Sequence, residues 1–321
     1  MIKVGVVGLG AMGQHHARLY SQAKCQLVGV ADIDQQRSAE IAKKYNVTSF
    51  ADYKELIGKV DAVSIAVPTS LHHVVAMDFL KNGVHCLVEK PISLTLKEAQ
   101  EMILLADQNH INLAIGHIEC FNPAVVKLKE VIDSGSLGKI LIISTRRVGP
   151  SAPRIKDVGI VVDSATHDIG VIRYLLNNEP INVFSRVGNL RNGKEDHAII
   201  VLSFFGATAC IEVNWFTPHK VRTLVATGSE GIAYLDYITQ EVKICKDSKE
   251  ELLNISKVEP LKVEIDDFLQ SILERKSPRV DGRVGWKILK VALESSKNDL
   301  CDLSKMKASW EEILINKQSD I

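Results

Sequence analysis

Three groups of residues in this chain are spaced for chemistry. The run "CLVEKP", residues 86–91, sets Glu89 and Lys90 at the end of an apolar stretch and stops it with Pro91. A buried strand would deliver that amine to its carboxyl end, where open α/β sheets bind ligands. The plainer alternative is a solvated turn lysine. Further on, Asp163 and His167 stand four residues apart in a helix-like stretch, so both leave one face. A carboxylate beside an imidazole fixes its tautomer and supports its protonated form, whereas on an exposed face the same spacing is an ordinary ion pair. The third group is "GLGAMG", with Gly8, Gly10 and Gly13 in G-x-G-x-x-G spacing. Gly8 permits a tight turn, Gly10 lets backbone approach a pyrophosphate, and Gly13 lets helix and sheet pack closely. Ala11 and Met12 then open the helix whose free N–H groups meet the phosphates.

A dinucleotide also needs an acid for its adenosine ribose. Asp32 lies 19 residues past Gly13, at the end of a second apolar run. Its carboxylate accepts from ribose hydroxyls and repels a 2′-phosphate, so NAD is expected rather than NADP. Arg37 is the nearby residue that could admit that phosphate, and simple helix capping is the other use for Asp32.

These groups need elements to hold them. Strand-like runs at 2–8, 25–32, 61–68, 84–89 and 111–117 alternate with helical runs at 14–23, 35–45, 71–83 and 96–110. Continuous apolar strands separated by amphipathic helices predict a parallel sheet covered on both faces, an α/β dinucleotide-binding domain over residues 1–119. From about residue 120 the pattern changes. Runs at 137–149, 181–190, 197–204, 207–216, 222–228 and 231–237 read as successive strands, followed by a helical stretch at 285–297. Residues 120–321 are therefore expected to form a second, α+β domain, with the active site in the cleft between the two.

Composition narrows the partners. A chain of 321 residues exceeds what one hydrophobic core usually serves. Lys plus Arg and Asp plus Glu number 39 each, so no basic excess exists to displace counterions from nucleic acid. The six cysteines show no paired spacing, which argues against structural zinc, any other metal site and a disulfide framework, and for a cytoplasmic protein. No apolar run reaches the ~18–20 residues that span a bilayer.

"GLGAMG", Asp32, "AVPTSLHHVVA" (66–76) and "EKP", in this order, resemble the Gfo/Idh/MocA oxidoreductases. The similarity continues through "GHIECFNPAV" (116–125) and "VGIVVDSATHDIGVIRYLL" (158–176). The resemblance implies a Rossmann domain followed by an open, mostly antiparallel sheet, whose free face often joins subunits into a homo-oligomer, a dimer or tetramer. It makes Lys90 catalytic and puts Asp163 and His167 in the active site. It also brings Val67, Pro68, His72 and Glu89 to the cofactor, His72 near the nicotinamide ribose.

Within the family, "GPSAPRIKDVG", "EDHAII" and "EVNWFTPHK" look most like nucleotide-sugar dehydrogenases acting on the 3-hydroxyl of UDP-N-acetylglucosamine. Asn122 and Arg154 are then candidate substrate contacts, the arginine because its fork suits a diphosphate; a helix cap and a surface charge are their plainer uses. Many relatives carry arginine where this chain has Cys120, which favours the N-acetylglucosamine substrate over its uronate. The expected reaction passes a hydride to the nicotinamide while Lys90 and His167 handle the hydroxyl proton. An inositol or free-sugar dehydrogenase is the alternative within the family. A non-catalytic nucleotide sensor is the alternative outside enzymes, and it has no need of the Lys90, Asp163 and His167 set.

Overall fold

The structure is a computed structural model and describes residues 1–150, 158–191, 193–297 and 300–302. In the first part, β1 (Lys3–Val7), α1 (Ala11–Tyr20), β2 (Gln26–Ala31), α2 (Gln35–Tyr45) and β3 (Thr48–Phe50) are followed by β4 (Ala62–Ile65). Then come α3 (Thr69–Lys81), β5 (His85–Glu89), α4 (Leu96–Gln108) and β6 (Leu113–Gly116). The strands form one parallel sheet in the order β3-β2-β1-β4-β5-β6, the doubly wound arrangement of dinucleotide-binding folds. Val4, Val6, Ala62, Val63, Ile65, Cys86 and Val88 have no exposed surface at all. Helices cover both faces, so the middle of each strand buries apolar side chains on both sides rather than at alternate positions. The edge strand β3 was not expected from sequence: only Phe50 of its three residues is buried, too little to read as a strand.

The second part opens with α5 (Pro123–Asp133), capped by Asn122, and continues into β7 (Ile140–Pro150). A π-helical turn, Val161–Ala165, runs directly into α6 (Thr166–Leu176). Seven strands follow: β8 (Asn182–Gly188), β9 (His197–Phe204), β10 (Ala207–Asn214), β11 (Phe216–Gly228), β12 (Ile232–Asp236), β13 (Glu241–Lys246) and β14 (Lys249–Leu252). The described chain ends with α7 (Pro260–Glu274), α8 (Gly282–Ser295) and the short β15 (Leu300–Asp302). The sheet order is β14-β13-β12-β11-β7-β10-β9-β8-β15. Pairing is antiparallel except between β7 and β10.

One face of this open sheet is packed: Ile143, Ile200, Leu202, Ile211, Val213 and Leu224 are buried. On the other face Ile142, Phe184, Ile199 and Tyr234 are more than two-fifths exposed. The last two helices fold back onto the first sheet. Leu261, Ile265 and Phe268 of α7 join the same core as Ala17 and Tyr20 of α1. Residues just ahead of α8 reach β6, where Ile115 N–H donates to the Val280 carbonyl at 2.9 Å and Ala114 bridges Asp281.

Candidate active site

The glycine turn after β1 is shaped by contacts that a side chain would break. Gly8 has φ +83° and lies under 3 Å, measured from a virtual Cβ, from the Ala66 backbone. Only glycine adopts that conformation without strain. A Cβ on Gly13 would sit 1.7 Å from the Gly8 carbonyl oxygen, so this position is closed by the turn itself. Gly10 differs: nothing lies within 4 Å of its virtual Cβ. It faces open space at the head of α1, where Ala11 and Met12 begin a helix with no side-chain cap. Uncapped N–H groups beside an open glycine suit a pyrophosphate.

A cavity of about 600 Å³ extends from this turn past Asp32 and Arg37 to Val67 and Pro68. Asp32 does not cap α2; Asp34 does, accepting from Arg37 N–H at 3.0 Å. The Asp32 carboxylate accepts instead from Leu9 N–H at 2.6 Å and Asp34 N–H at 2.8 Å. Those bonds fix it at the rim of the cavity. Arg37 is drawn to Asp34 at 2.9 Å and stays 3.7 Å from Asp32. The glycine turn, the bare helix terminus and the anchored acid together fit a dinucleotide.

At the carboxyl end of β5 the chain turns through a cis Lys90–Pro91 bond. The Lys90 ammonium donates to the Asp163 carbonyl at 2.7 Å and to its Oδ1 at 3.0 Å. Asp163 comes from the π-helical turn, His167 from the first turn of α6. Here the structure corrects the expected pairing, since no hydrogen bond joins Asp163 to His167. The carboxylate is taken by Lys90 on Oδ1, a charged donor that outcompetes a neutral ring, and by the Ser164 hydroxyl on Oδ2 at 2.9 Å. Nor is the imidazole supported in its protonated form. Burial, then the positive charges of Lys90 and Arg147, hold His167 well below the usual histidine range. Its Nδ1 is buried without a partner among the described residues, which leaves Nε2 as the nitrogen for a ligand.

Residues behind this centre set its geometry. His16 of α1 is buried, with Nε2 3.0 Å from Glu89 Oε1 and Nδ1 3.1 Å from Ser64 Oγ. Tyr20 adds its hydroxyl to Ser64 at 2.8 Å. Burial disfavours a Glu89 carboxylate, but the His16 bond, Lys90 and His72 outweigh it and hold the acid ionised. Glu89 thus ties the end of β5 to α1.

His72 is also buried, its Nδ1 2.8 Å from the Pro91 carbonyl and Nε2 3.0 Å from the Val67 carbonyl. Both ring nitrogens face carbonyl acceptors, so whichever carries the hydrogen has a partner. It clamps the loop after β4 to the loop that carries Lys90.

Sequence reasoning passed over several neighbours. His117, at the end of β6, is buried with Nδ1 unpartnered among the described residues and is pushed down to about 3 by burial, then by Lys90 and Arg173. Its place in "GHIE" at a strand's carboxyl end was the available signal. Beneath His167, Arg147 of β7 donates to both Asp168 oxygens at 2.8 and 3.3 Å and to Glu119 Oε1 at 2.9 Å. Asn122 belongs to this support and offers no open group. Its oxygen caps α5 at Ala124 N–H, and its amide donates to Glu119 and to the Tyr237 carbonyl, each at 3.1 Å. Arg154 lies outside the described residues.

Comparison with known proteins agrees with this architecture. Residues 2–117 match the oxidoreductase family model with NAD-binding Rossmann fold, and residues 125–234 match the GFO/IDH/MocA C-terminal domain. A UDP-N-acetylglucosamine 3-dehydrogenase from Acidithiobacillus ferrooxidans is 30% identical over 91% of this chain and 96% of its own. Its crystal form in P212121 superposes with a TM-score of 0.87, covering 93% of this chain and 97% of that one. A myo-inositol 2-dehydrogenase from Thermotoga maritima is 26% identical over 92% of this chain and 96% of its own. A levoglucosan dehydrogenase in complex with NADH and levoglucosan, 21% identical over 95% and 100% of the two chains, shares the fold with a TM-score of 0.85. With both halves matched and the dinucleotide cradle intact, the chain belongs to the Gfo/Idh/MocA family and is an NAD-binding oxidoreductase acting on CH–OH groups.

Proposed function

We propose that this enzyme oxidises a secondary hydroxyl of a nucleotide sugar, the 3-hydroxyl of UDP-N-acetylglucosamine, to the ketone. The observation that carries the chemistry is the Lys90 ammonium seated on Asp163 beside an uncharged His167, at the carboxyl edge of the NAD-binding sheet. Support for the substrate is the likeness to a UDP-N-acetylglucosamine 3-dehydrogenase along nearly the whole of both chains. In this reading residues 1–119 hold the cofactor and residues 120–321 supply the substrate contacts and the surface for a homo-oligomer, a dimer or tetramer. The free cysteines among the described residues agree with a reducing, cytoplasmic setting.

Bound NAD supplies the hydride acceptor. Lys90, anchored on Asp163, has N–H left to donate to the substrate hydroxyl oxygen and stabilises negative charge as it develops there. Neutral His167 takes the departing proton on Nε2. Its low affinity for a proton leaves Nε2 unprotonated in the resting site. His72 and the Glu89–His16 pair keep Lys90 in place without touching the reacting atoms.

The test is incubation with NAD⁺ and a panel of UDP-sugars, free sugars and inositols, reading absorbance at the NADH band and identifying the product by mass spectrometry. Saturable turnover of UDP-N-acetylglucosamine to a 3-keto sugar is expected. Turnover of polyols alone would replace this reading with an inositol dehydrogenase, the alternative favoured by the Thermotoga maritima relative.

A further inference from the structure

Arg222 of β11 sits directly opposite Arg147 of β7 in the sheet register. Residues paired this way leave the sheet on the same face, here the packed face that carries the active site. The two guanidinium groups are treated very differently. Arg147 is buried, closed on both sides by Asp168 and Glu119, and stacked 4.9 Å from the Tyr237 ring. Arg222 is half-buried and has no carboxylate within ion-pair distance among the described residues. Its hydrogen bonds to described residues all use Nη1, which donates to the backbone carbonyls of Val148 at 3.1 Å and Val221 at 3.3 Å. The Nε and Nη2 edge, the fork that grips paired oxygens, has no acceptor among the described residues.

Its location fits a ligand rather than a surface role. Its charge is among those that keep His167 neutral, and Asp163, Asp168 and Glu119 all lie within its field. Yet it makes no hydrogen bond to Lys90, Asp163 or His167. A group in this position can grip a substrate some distance from the reacting carbon without joining the proton transfer. Counted together, Arg147, Arg222, Asp168 and Glu119 balance in charge, so the cluster does not need an anion to be neutral. What Arg222 lacks is a contact. Burial and the facing Arg147 both press its charge downward, and an anion bound to the open fork would relieve this.

We propose that Arg222 binds the diphosphate of the nucleotide-sugar substrate through its free Nε–Nη2 edge. This rests on the nucleotide-sugar reading given above. Two parallel N–H donors match two phosphate oxygens bidentately, which a lysine cannot do. A uracil or sugar hydroxyl would leave the charge unanswered, and a sugar carboxylate is the one other anion of suitable shape.

The experiment compares wild type, Arg222→Gln and Arg222→Lys in steady state, with UDP as competitive inhibitor and the KM for NAD⁺ as the check on folding. For Arg222→Gln the KM for UDP-N-acetylglucosamine and the inhibition constant for UDP should both rise by about tenfold or more, while kcat falls far less and the KM for NAD⁺ holds. Arg222→Lys should fall between, keeping charge but losing the fork. If wild type uses UDP-N-acetylglucosamine and neither constant moves in Arg222→Gln, the anion site is wrong and the substrate reading stands. If only UDP-glucuronate is affected, Arg222 serves a carboxylate and the diphosphate assignment falls. If wild type turns over inositols but no UDP-sugar, both readings fall together.

Discussion

In the proposed mechanism His167 and Lys90 divide the work by charge: one is kept empty of a proton and the other is kept seated on a carboxylate. That division predicts how pH acts. The proposed base form of His167 is the neutral ring, and Lys90 is the first charge that keeps it so. In Lys90→Met the positive charge is gone and the Asp163 carboxylate loses the ammonium that offsets its charge; both changes raise the histidine's affinity for protons. The acid limb of kcat/KM should therefore move to higher pH, on top of a loss of roughly 10²–10⁴-fold in turnover. A pH profile of the residual activity measures this, and a limb that stays in place would assign it to another group. The three residues of this centre were legible in the sequence, but their partnership was not. Spacing within one helix said that Asp163 and His167 share a face; it said nothing of an amine arriving from 73 positions away to claim the carboxylate.

At the level of elements, the strand-to-helix turn after β1 makes the sharpest distinction between structural and functional glycine. Gly13→Ala puts a methyl group into the Gly8 carbonyl and should cost both stability and NAD binding. Gly10→Ala meets no protein atom and adopts an ordinary φ of −63°, so the folded state should hold while cofactor affinity drops by about tenfold or more. Thermal unfolding beside NADH fluorescence titration separates the two, and equal losses of stability would remove the distinction. The parallel sheet was legible because uninterrupted runs such as "DAVSIAVP" have one physical use, a strand covered on both faces. Elements with little apolar content were not. β14 is exposed at all four positions, and β3 contributes a single buried ring. The helix α7 did carry a helical stripe, Leu261, Ile265 and Phe268 at i, i+4 and i+7; what no local pattern announces is that this stripe packs on α1 of the first half.

For the whole molecule, the open side of the large sheet is the surface left to explain. Ile142, Phe184, Ile199 and Tyr234 come from four different strands, and Arg146 and Glu212 pair among them at 2.8 Å. If this face joins copies of the chain, Ile142→Glu combined with Ile199→Glu should shift sedimentation from oligomer toward monomer, with NAD binding preserved. Unchanged sedimentation would send the interface elsewhere. The second strand set also has a temporal consequence. The outer edge of β6 is closed by Val280 and Asp281, residues made long after the sheet they complete. As the ribosome delivers the chain, the nucleotide-binding half can wind its strands early, but its rim stays open until the final helices emerge. A nascent chain stalled before residue 280 would thus expose hydrogen-bonding groups that the finished protein never shows to a chaperone.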